Sequence, residues 1–234
     1  MIPKIIHQVW EGRTEPLPEF LSLIGETWKE HHPQWQYEFW NGDRMENFVR
    51  DYFPDFSGTY YNYCHPVQRW DAIRYLILYK MGGMYVDFDY ECINAFDNCI
   101  ENHESCYFPL EPEAHCRMFG KTVYFNNALM LTPANHPFFE RIITHLQTAS
   151  INYTGNKIYD VLYSTGPLML TNLYEAYDDK TTISFLPAEL VSPLSTTEVR
   201  SIIHNTADKE KLEKKLENAI AIHYFFGSWV SNDT

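Results

Sequence analysis

No stretch of the chain approaches the roughly 18 to 20 continuous apolar residues that a membrane-spanning helix requires. The apolar segment from Ile73 to Leu78 is soon stopped by Lys80. The start, Met1-Ile2-Pro3-Lys4-Ile5-Ile6-His7, lacks a basic segment followed by a long apolar run and a small-residue cleavage site, so it does not read as a secretory leader. Positive charge is scarce: 18 Lys and Arg face 31 Asp and Glu, a net charge of −13. Such a field repels nucleic-acid phosphate and anionic membrane at long range, so neither is expected as a general partner. An anionic small substrate would need local positive charge, from a bound metal ion or from a few placed Arg and His side chains. The five cysteines, Cys64, Cys92, Cys99, Cys106 and Cys116, are odd in number and too sparse for a disulfide scaffold, which fits a reducing, cytoplasmic setting. Cys99, His103, Cys106, His115 and Cys116 are zinc-type donors, yet no C-x-x-C pair anchors them and the spacing fits zinc poorly.

What is present supports a folded α/β unit. With 234 residues, 45% hydrophobic and 21% charged, the chain can fill a sizeable core, and one domain over residues 1–234 is expected. Aromatic residues reach 16%, mostly as core filler, with enough left over to line a pocket for bases or sugars.

Ile5 to Trp10 reads as a buried opening strand, followed by a loop with Gly12, Pro16 and Pro18 and a helix from Glu19 to about Glu30. Tyr37 to Trp40 reads as the second strand, and Asp43 is placed to cap a short helix through Val49. Strand alternating with helix predicts a mixed, mostly parallel central sheet flanked by helices, with ligands beyond the carboxyl ends of the strands.

The run Pro66 to Met81 has proline in its first turn and Gly82-Gly83 past its end, which predicts a helix. It is apolar on most faces, so Asp71 and Arg74, neighbours at a spacing of three, point into a largely buried environment. Either they satisfy one another as a structural pair, or Arg74 reaches an anion while Asp71 orients a ligand hydroxyl. Next, Met84 to Tyr90 has strand character, and its alternation places Asp87 and Asp89 on one side. Two adjacent carboxylates ending an apolar strand repel unless a cation or proton sits between them, and hard oxygen donors favour Mg²⁺ or Mn²⁺. A bare Asp-x-Asp is a weak motif. Its force comes from the buried helix, the double glycine and the strand before it.

The run Arg69-Trp70-Asp71-Ala72-Ile73-Arg74-Tyr75, then Leu78 to Asp89, resembles the signature of the DXD-containing sugar transferases of glycosyltransferase family 32. Ile2 to Trp10 resembles the first strand of that family, and Gly227-Ser228-Trp229 its carboxyl-terminal motif. The family includes yeast-type α-mannosyltransferases, and its motifs are similar to those of the glucosyltransferase domains of large clostridial toxins. The resemblance implies the GT-A fold, a Rossmann-like nucleotide-diphospho-sugar transferase architecture. It also implies a retaining hexosyl transfer from a UDP- or GDP-sugar to an oligosaccharide or lipid-linked glycan acceptor, as in polysaccharide biosynthesis.

Carried onto this sequence, the resemblance places Asp71 on donor-sugar hydroxyls, Arg74 near the diphosphate or sugar, and Tyr85 beside the ribose and phosphate. Asp87 would meet ribose or sugar and reach the metal directly or through water, with Asp89 the direct metal ligand. Gln8, Val9 and Trp10 would meet the nucleoside. His223, at the end of an apolar strand, would lie in the closing segment that contacts phosphate and metal, although the toxin domains use a carboxylate there. Asn126-Asn127 resembles a segment on the sugar-binding side, but is also ordinary turn chemistry. Gly166, between Thr165 and Pro167, starts a helix whose backbone N–H groups would face the pocket. Ser228 and Trp229 would donate hydrogen bonds from a closing flap. The residues alone leave two other classes open: a metal-dependent nucleotide-sugar hydrolase and a catalytically silent sugar-binding module. A cytoplasmic enzyme at or near the inner face of a membrane, associated peripherally with it, is the expected setting.

Overall fold

The computed structural model describes residues 1–227. In chain order, β1 (Ile5–Val9), α1 (Glu19–His31), β2 (Gln36–Trp40), α2 (Gly42–Tyr52), α3 (Ser57–Asn62) and α4 (Pro66–Met81) lead to β3 (Gly83–Val86) and β4 (Tyr90–Cys92). Then follow β5 (Cys106–Pro109), α5 (Glu113–Phe119), β6 (Leu129–Thr132), α6 (Pro137–Thr148), α7 (Lys157–Ser164) and α8 (Pro167–Glu175). The described chain closes with β7 (Ile183–Leu186), α9 (Ala188–Val191), α10 (Thr196–Ile203), α11 (Lys209–Leu216) and β8 (Ala221–His223).

The central sheet runs β2-β1-β3-β6-β5-β7, and every strand is parallel to the rest except β6. β4 and β8 form a separate antiparallel pair. Side-chain alternation divides the core in two. Met84, Val86, Leu129, Leu131 and Tyr107 face the cluster built around Trp28 of α1, whereas Tyr85, Met130 and Phe108 face the larger cluster packed by α2, α4, α6 and α8. From β1 the chain crosses outward to β2 and returns to the far side of β1 as β3, so the sheet changes direction between β1 and β3. The carboxyl ends of two adjacent parallel strands at such a reversal leave a crevice between their loops.

α4 has the predicted bounds, with the His65 N–H donating to Gln68 Oε1 at 2.9 Å at its start. Its stop depends on the double glycine. Gly82 and Gly83 have φ of +66° and +97°, and a Cβ on Gly83 would lie 2.6 Å from the Ile5 carbonyl oxygen.

Two local expectations are corrected. Asn41, not Asp43, caps α2: it is extended and its Oδ1 accepts from Arg44 N at 2.9 Å. Gly42 can enter the helix because it has no Cβ to meet Arg13, and Asp43 instead pairs with Arg13 at 2.6 Å. The strand also ends at Val86 rather than running to Tyr90. Asp87 N still bonds the Ala128 carbonyl at 2.8 Å, but Asp87, Phe88 and Asp89 then form a turn closed by Tyr90 N on Asp87 O at 3.2 Å. The two acids therefore share a turn, not a pleated face.

Candidate active site

Asp71 and Arg74 sit one turn apart on α4, and Arg74 reaches the turn that follows β3. Arg74 is the hub. Its Nη1 lies 3.2 Å from Asp87 Oδ2 and donates to the Asn127 carbonyl at 2.9 Å, Nη2 lies 3.2 Å from Asp71 Oδ1, and Nε donates to the Trp70 carbonyl at 3.2 Å. The guanidinium stands 4.7 Å over the Tyr85 ring, whose hydroxyl donates to Asp87 Oδ1. Burial opposes its charge, yet Asp87, Tyr85 and Asp71 hold it protonated more firmly than usual.

Asp71 is closed in as predicted. Asn127 Nδ2 donates to its Oδ1 at 2.9 Å and Thr165 Oγ1 to its Oδ2 at 2.8 Å. Burial nonetheless pushes its carboxyl above the ordinary range, against Arg74, Thr165 and Asn127. Asn127 also donates to Tyr75 OH at 2.8 Å, so its amide is engaged in holding the site together. Gly166 lies beside this cluster as the N-cap of α8, but its N–H is bonded to the Val161 carbonyl at 2.9 Å. Thr165 is the residue of that segment whose side chain reaches the site.

The β4–β8 pair explains how a carboxyl-terminal residue arrives here. Its register sets Tyr90 opposite His223, their rings stack at 4.6 Å, and the imidazole Nε2 comes to 3.5 Å from Asp89 Oδ1. Asp89 Oδ2 also accepts from Phe226 N at 3.0 Å. Burial raises both carboxyls of the turn. For Asp87 burial, helped by the charge of Asp89, outweighs Arg74 and leaves it raised, whereas for Asp89 the charge and hydrogen bond of His223 prevail over burial and leave it lowered. His223 is buried, which favours its neutral form, but Asp89 more than offsets this and raises it.

Gln8 is buried on β1, its Oε1 accepting from Tyr37 OH at 2.9 Å. Val9 is half-buried at the strand end. Trp10 packs edge-on against Phe88, the middle residue of the acidic turn, at 6.4 Å, and Phe39 of β2 meets the same ring at 6.1 Å. The predicted nucleoside-side and metal-side residues are thus brought to one place through Phe88, which the sequence reading did not use. Ser228 and Trp229 lie outside the described residues.

The acidic turn suits a divalent ion shared with a ligand. It offers two hard carboxylates that repel one another, and Mg²⁺-type sites commonly take one or two carboxylates and leave their other positions to phosphate oxygens and water. Among the described residues no three His, Cys, Asp or Glu side chains are gathered to hold a metal, so Asp87, Asp89 and His223 do not form a closed ligand set. The same holds for the zinc-type donors: Cys106 is buried in β5 and His115 Nδ1 is bonded to Glu111.

A second buried polar group was missed. Glu111 joins His115 Nδ1 and Asn126 Nδ2, and His115 Nε2 accepts from Thr196 N at 3.1 Å. Asn126 Oδ1 in turn accepts from Ala128 N at 2.8 Å, the residue whose carbonyl holds Asp87 N. The spacing of four between Glu111 and His115 was the available signal.

Residues 18–106 match the family described as "Glycosyltransferase sugar-binding region containing DXD motif", a span that includes Asp71, Arg74, Tyr85, Asp87 and Asp89. Inositol phosphoceramide mannosyltransferase 2 of Schizosaccharomyces pombe is 33% identical over 177 residues, 76% of this chain and 47% of the relative. Mannosyl phosphorylinositol ceramide synthase SUR1 of Saccharomyces cerevisiae is 32% identical over 177 residues, 76% of this chain and 43% of the relative. The chain therefore spans a little under half the length of these two yeast relatives. Among solved structures, the PaToxG glycosyltransferase superposes with a TM-score of 0.53 at 16% identity, covering 92% of this chain and 76% of its own. The ligand-free glycosyltransferase domain of the YGT toxin gives 0.57 at 8% identity, covering 79% and 80%. The fold is that of GT-A glycosyltransferases, and the chain belongs to the family of DXD-containing glycosyltransferases.

Proposed function

We propose that this chain, with residues 1–234 acting as one domain, moves a hexosyl group from a UDP- or GDP-sugar to a hydroxyl of a glycan or lipid-linked acceptor, with retention at the anomeric carbon. Mn²⁺ or Mg²⁺ is the proposed cofactor, and the cytoplasm, at or near the inner face of a membrane, the proposed location. The observation that carries this reading is the meeting of Arg74, Asp71 and Asn127 with the Asp87–Asp89 turn at the reversal between β1 and β3. The yeast relatives are named for mannosyl transfer to an inositol phosphoceramide, which makes a mannose-bearing donor the first to test.

Breaking the bond between the anomeric carbon and the diphosphate builds negative charge on the departing phosphates, so fixed cations near those oxygens lower the barrier. A divalent ion held by Asp89, with Asp87 beside it, would supply part of that charge stabilisation. Arg74 supplies more without reorganising, because Asp71, Asp87 and the Asn127 carbonyl fix its guanidinium. Asp71, braced by Thr165 and Asn127, presents a carboxylate of set orientation to a sugar hydroxyl. Trp10 and Phe88 give an aromatic wall on the β1 side for the nucleoside. Among the described residues, Phe226 and Tyr224 bring the carboxyl-terminal segment onto Asp89, where it would help to exclude water.

The test is incubation with Mn²⁺ and a panel of UDP- and GDP-hexoses, with and without a glycan acceptor. Slow hydrolysis of one donor, diverted to transfer by an acceptor, supports the reading. Equal cleavage of every donor marks a hydrolase, and binding without turnover marks a sugar-binding module. Asp89→Ala should abolish turnover and keep the far-UV circular dichroism of the wild type.

A further inference from the structure

Residues 126–128 touch Asp71, Arg74 and Asp87 together. Asn127 Nδ2 donates to Asp71 at 2.9 Å, the Asn127 carbonyl accepts from Arg74 Nη1 at 2.9 Å, and the Ala128 carbonyl accepts from Asp87 N at 2.8 Å. Asn126 ties this segment into a turn from within, its Oδ1 accepting from Ala128 N at 2.8 Å. The other end of the same amide leads away from the site. Asn126 Nδ2 donates to Glu111 Oε1 at 2.6 Å, and Glu111 Oε2 is bonded to His115 Nδ1.

The direction of each proton in this chain is set from its two ends. Thr196 N can only donate, so His115 Nε2 accepts from it at 3.1 Å, Nδ1 carries the ring proton, and that proton goes to Glu111. Ala128 N can only donate, so Asn126 meets it with oxygen and turns its N–H groups to Glu111. The group at 111 must therefore accept on both sides, which a carboxylate does and a carboxamide cannot. Glu111, His115 and Asn126 are all buried. Apolar residues of similar size would fill such a space at a lower desolvation cost. They could not fix the Asn126 amide.

We propose that Glu111 is a positioning residue for the donor site: by accepting from both His115 and Asn126 it fixes the turn at 126–128, and through that turn the orientation of Asp71, Arg74 and Asp87. The inference rests on the reading of those three as donor-site groups. Small displacements of such groups are costly, since a shift of about 1 Å can lower a rate a hundredfold.

The test exchanges carboxylate and amide. Glu111→Gln sets one N–H against another whichever way the new amide is turned, and Asn126→Asp sets two carboxylates against each other. In the double variant the amide at 111 accepts from His115 and donates to the carboxylate at 126, which accepts from Ala128 N, so every hydrogen bond returns. Donor hydrolysis with Mn²⁺, Tm, and amide hydrogen exchange at Ala128 and Asp87 are measured for all four proteins. Glu111→Gln should lower kcat/KM about tenfold, well below its Tm, and speed both exchanges severalfold. The double variant should come within about threefold of wild type in both. A Glu111→Gln protein that loses Tm but keeps wild-type kcat/KM and exchange would make Glu111 a structural residue only and overturn the proposal. So would a double variant that regains Tm but neither turnover nor slow exchange. Should a single variant fail to fold, the double variant decides by itself, by whether it recovers both. Wild type that turns over no nucleotide hexose would sink the transferase reading, while the exchange rates would still decide the role of Glu111.

Discussion

Arg74 Nη1 lies 3.2 Å from Asp87 Oδ2, thirteen positions along the chain, and the same guanidinium neutralises Asp71 one helical turn away. One cation thus answers one buried and one half-buried acid, both of whose carboxyls desolvation pushes upward. Removing it with Arg74→Ala strands both, and a stability loss of about 3 to 5 kcal/mol is expected from urea unfolding. Arg74→Lys keeps one charge but loses the fork that spans both acids and the Asn127 carbonyl. That variant should fold, with donor turnover reduced on the order of a hundredfold in steady-state assays.

Gly25 in α1 lies outside the charged cluster, yet it shapes the acidic turn. A Cβ there would stand 2.6 Å from Phe88 Cδ1 and 3.0 Å from Gln8 Oε1. Glycine to alanine inside a helix normally stabilises by up to about 1 kcal/mol. Gly25→Ala should instead displace the Phe88 ring, which separates Asp87 from Asp89 and packs on Trp10. The expected outcome is a severalfold weaker Mn²⁺-dependent donor affinity by calorimetry, with no gain in Tm. A normal affinity in a more stable variant would show that Phe88 yields without moving the acids.

β1, α1, β2 and α4 were legible because their signals are local, whereas α3 carried none that the sequence reading used. Proline at the start of α4 and two glycines past its end fixed its bounds, and periodicity gave β1, α1 and β2. The acidic turn was misread as strand because Met84 to Tyr90 alternates regularly, and nothing local reveals that the pairing partner β6 ends opposite Val86. Capping of α2 failed for a similar reason. Asn41 and Asp43 are both good caps in isolation, and only the approach of the Glu11–Arg13 loop, which requires a glycine at 42, decides between them. The clustering of Asp71 with Arg74 follows from helical spacing, but Thr165 and Asn127 reach Asp71 only through tertiary contacts between distant segments.

His7 gives the fold a pH dependence of defined sign. Its Nδ1 accepts from Trp40 Nε1 at 3.2 Å, so the proton sits on Nε2 and is donated to the Gly82 carbonyl at 3.0 Å. A second proton would face the indole N–H, and burial pushes the imidazole from 6.5 down to about 4. The unfolded chain takes up this proton below about 6.5 and the folded chain does not until about 4, so stability is full above that window and falls as the pH drops through it. At about 1.4 kcal/mol per pH unit, His7 accounts for a loss of about 3 kcal/mol across the window. Urea midpoints at pH 7 and pH 4.5 measure the total, and an NMR titration of the His7 ring isolates its share. A His7 that titrates near 6.5 in the folded protein would remove this contribution.

Chelation should separate what Asp89 does from what Arg74 does. A ligand at a hundred times its Kd stabilises a protein by about 2.7 kcal/mol, which for a chain of this size is a Tm rise of roughly 5 to 10 °C. Nucleotide sugar with Mn²⁺ should produce a shift of that order. EDTA should reduce it to a few degrees, because Arg74 would still be there to meet the diphosphate, and should stop turnover altogether. Asp89→Asn should behave like the chelated wild type whether or not Mn²⁺ is added, since it keeps the turn and the Phe226 N–H contact but loses the charge that also holds His223. A full thermal shift in the presence of EDTA would mean that the nucleotide binds without an ion, through Arg74 and His223.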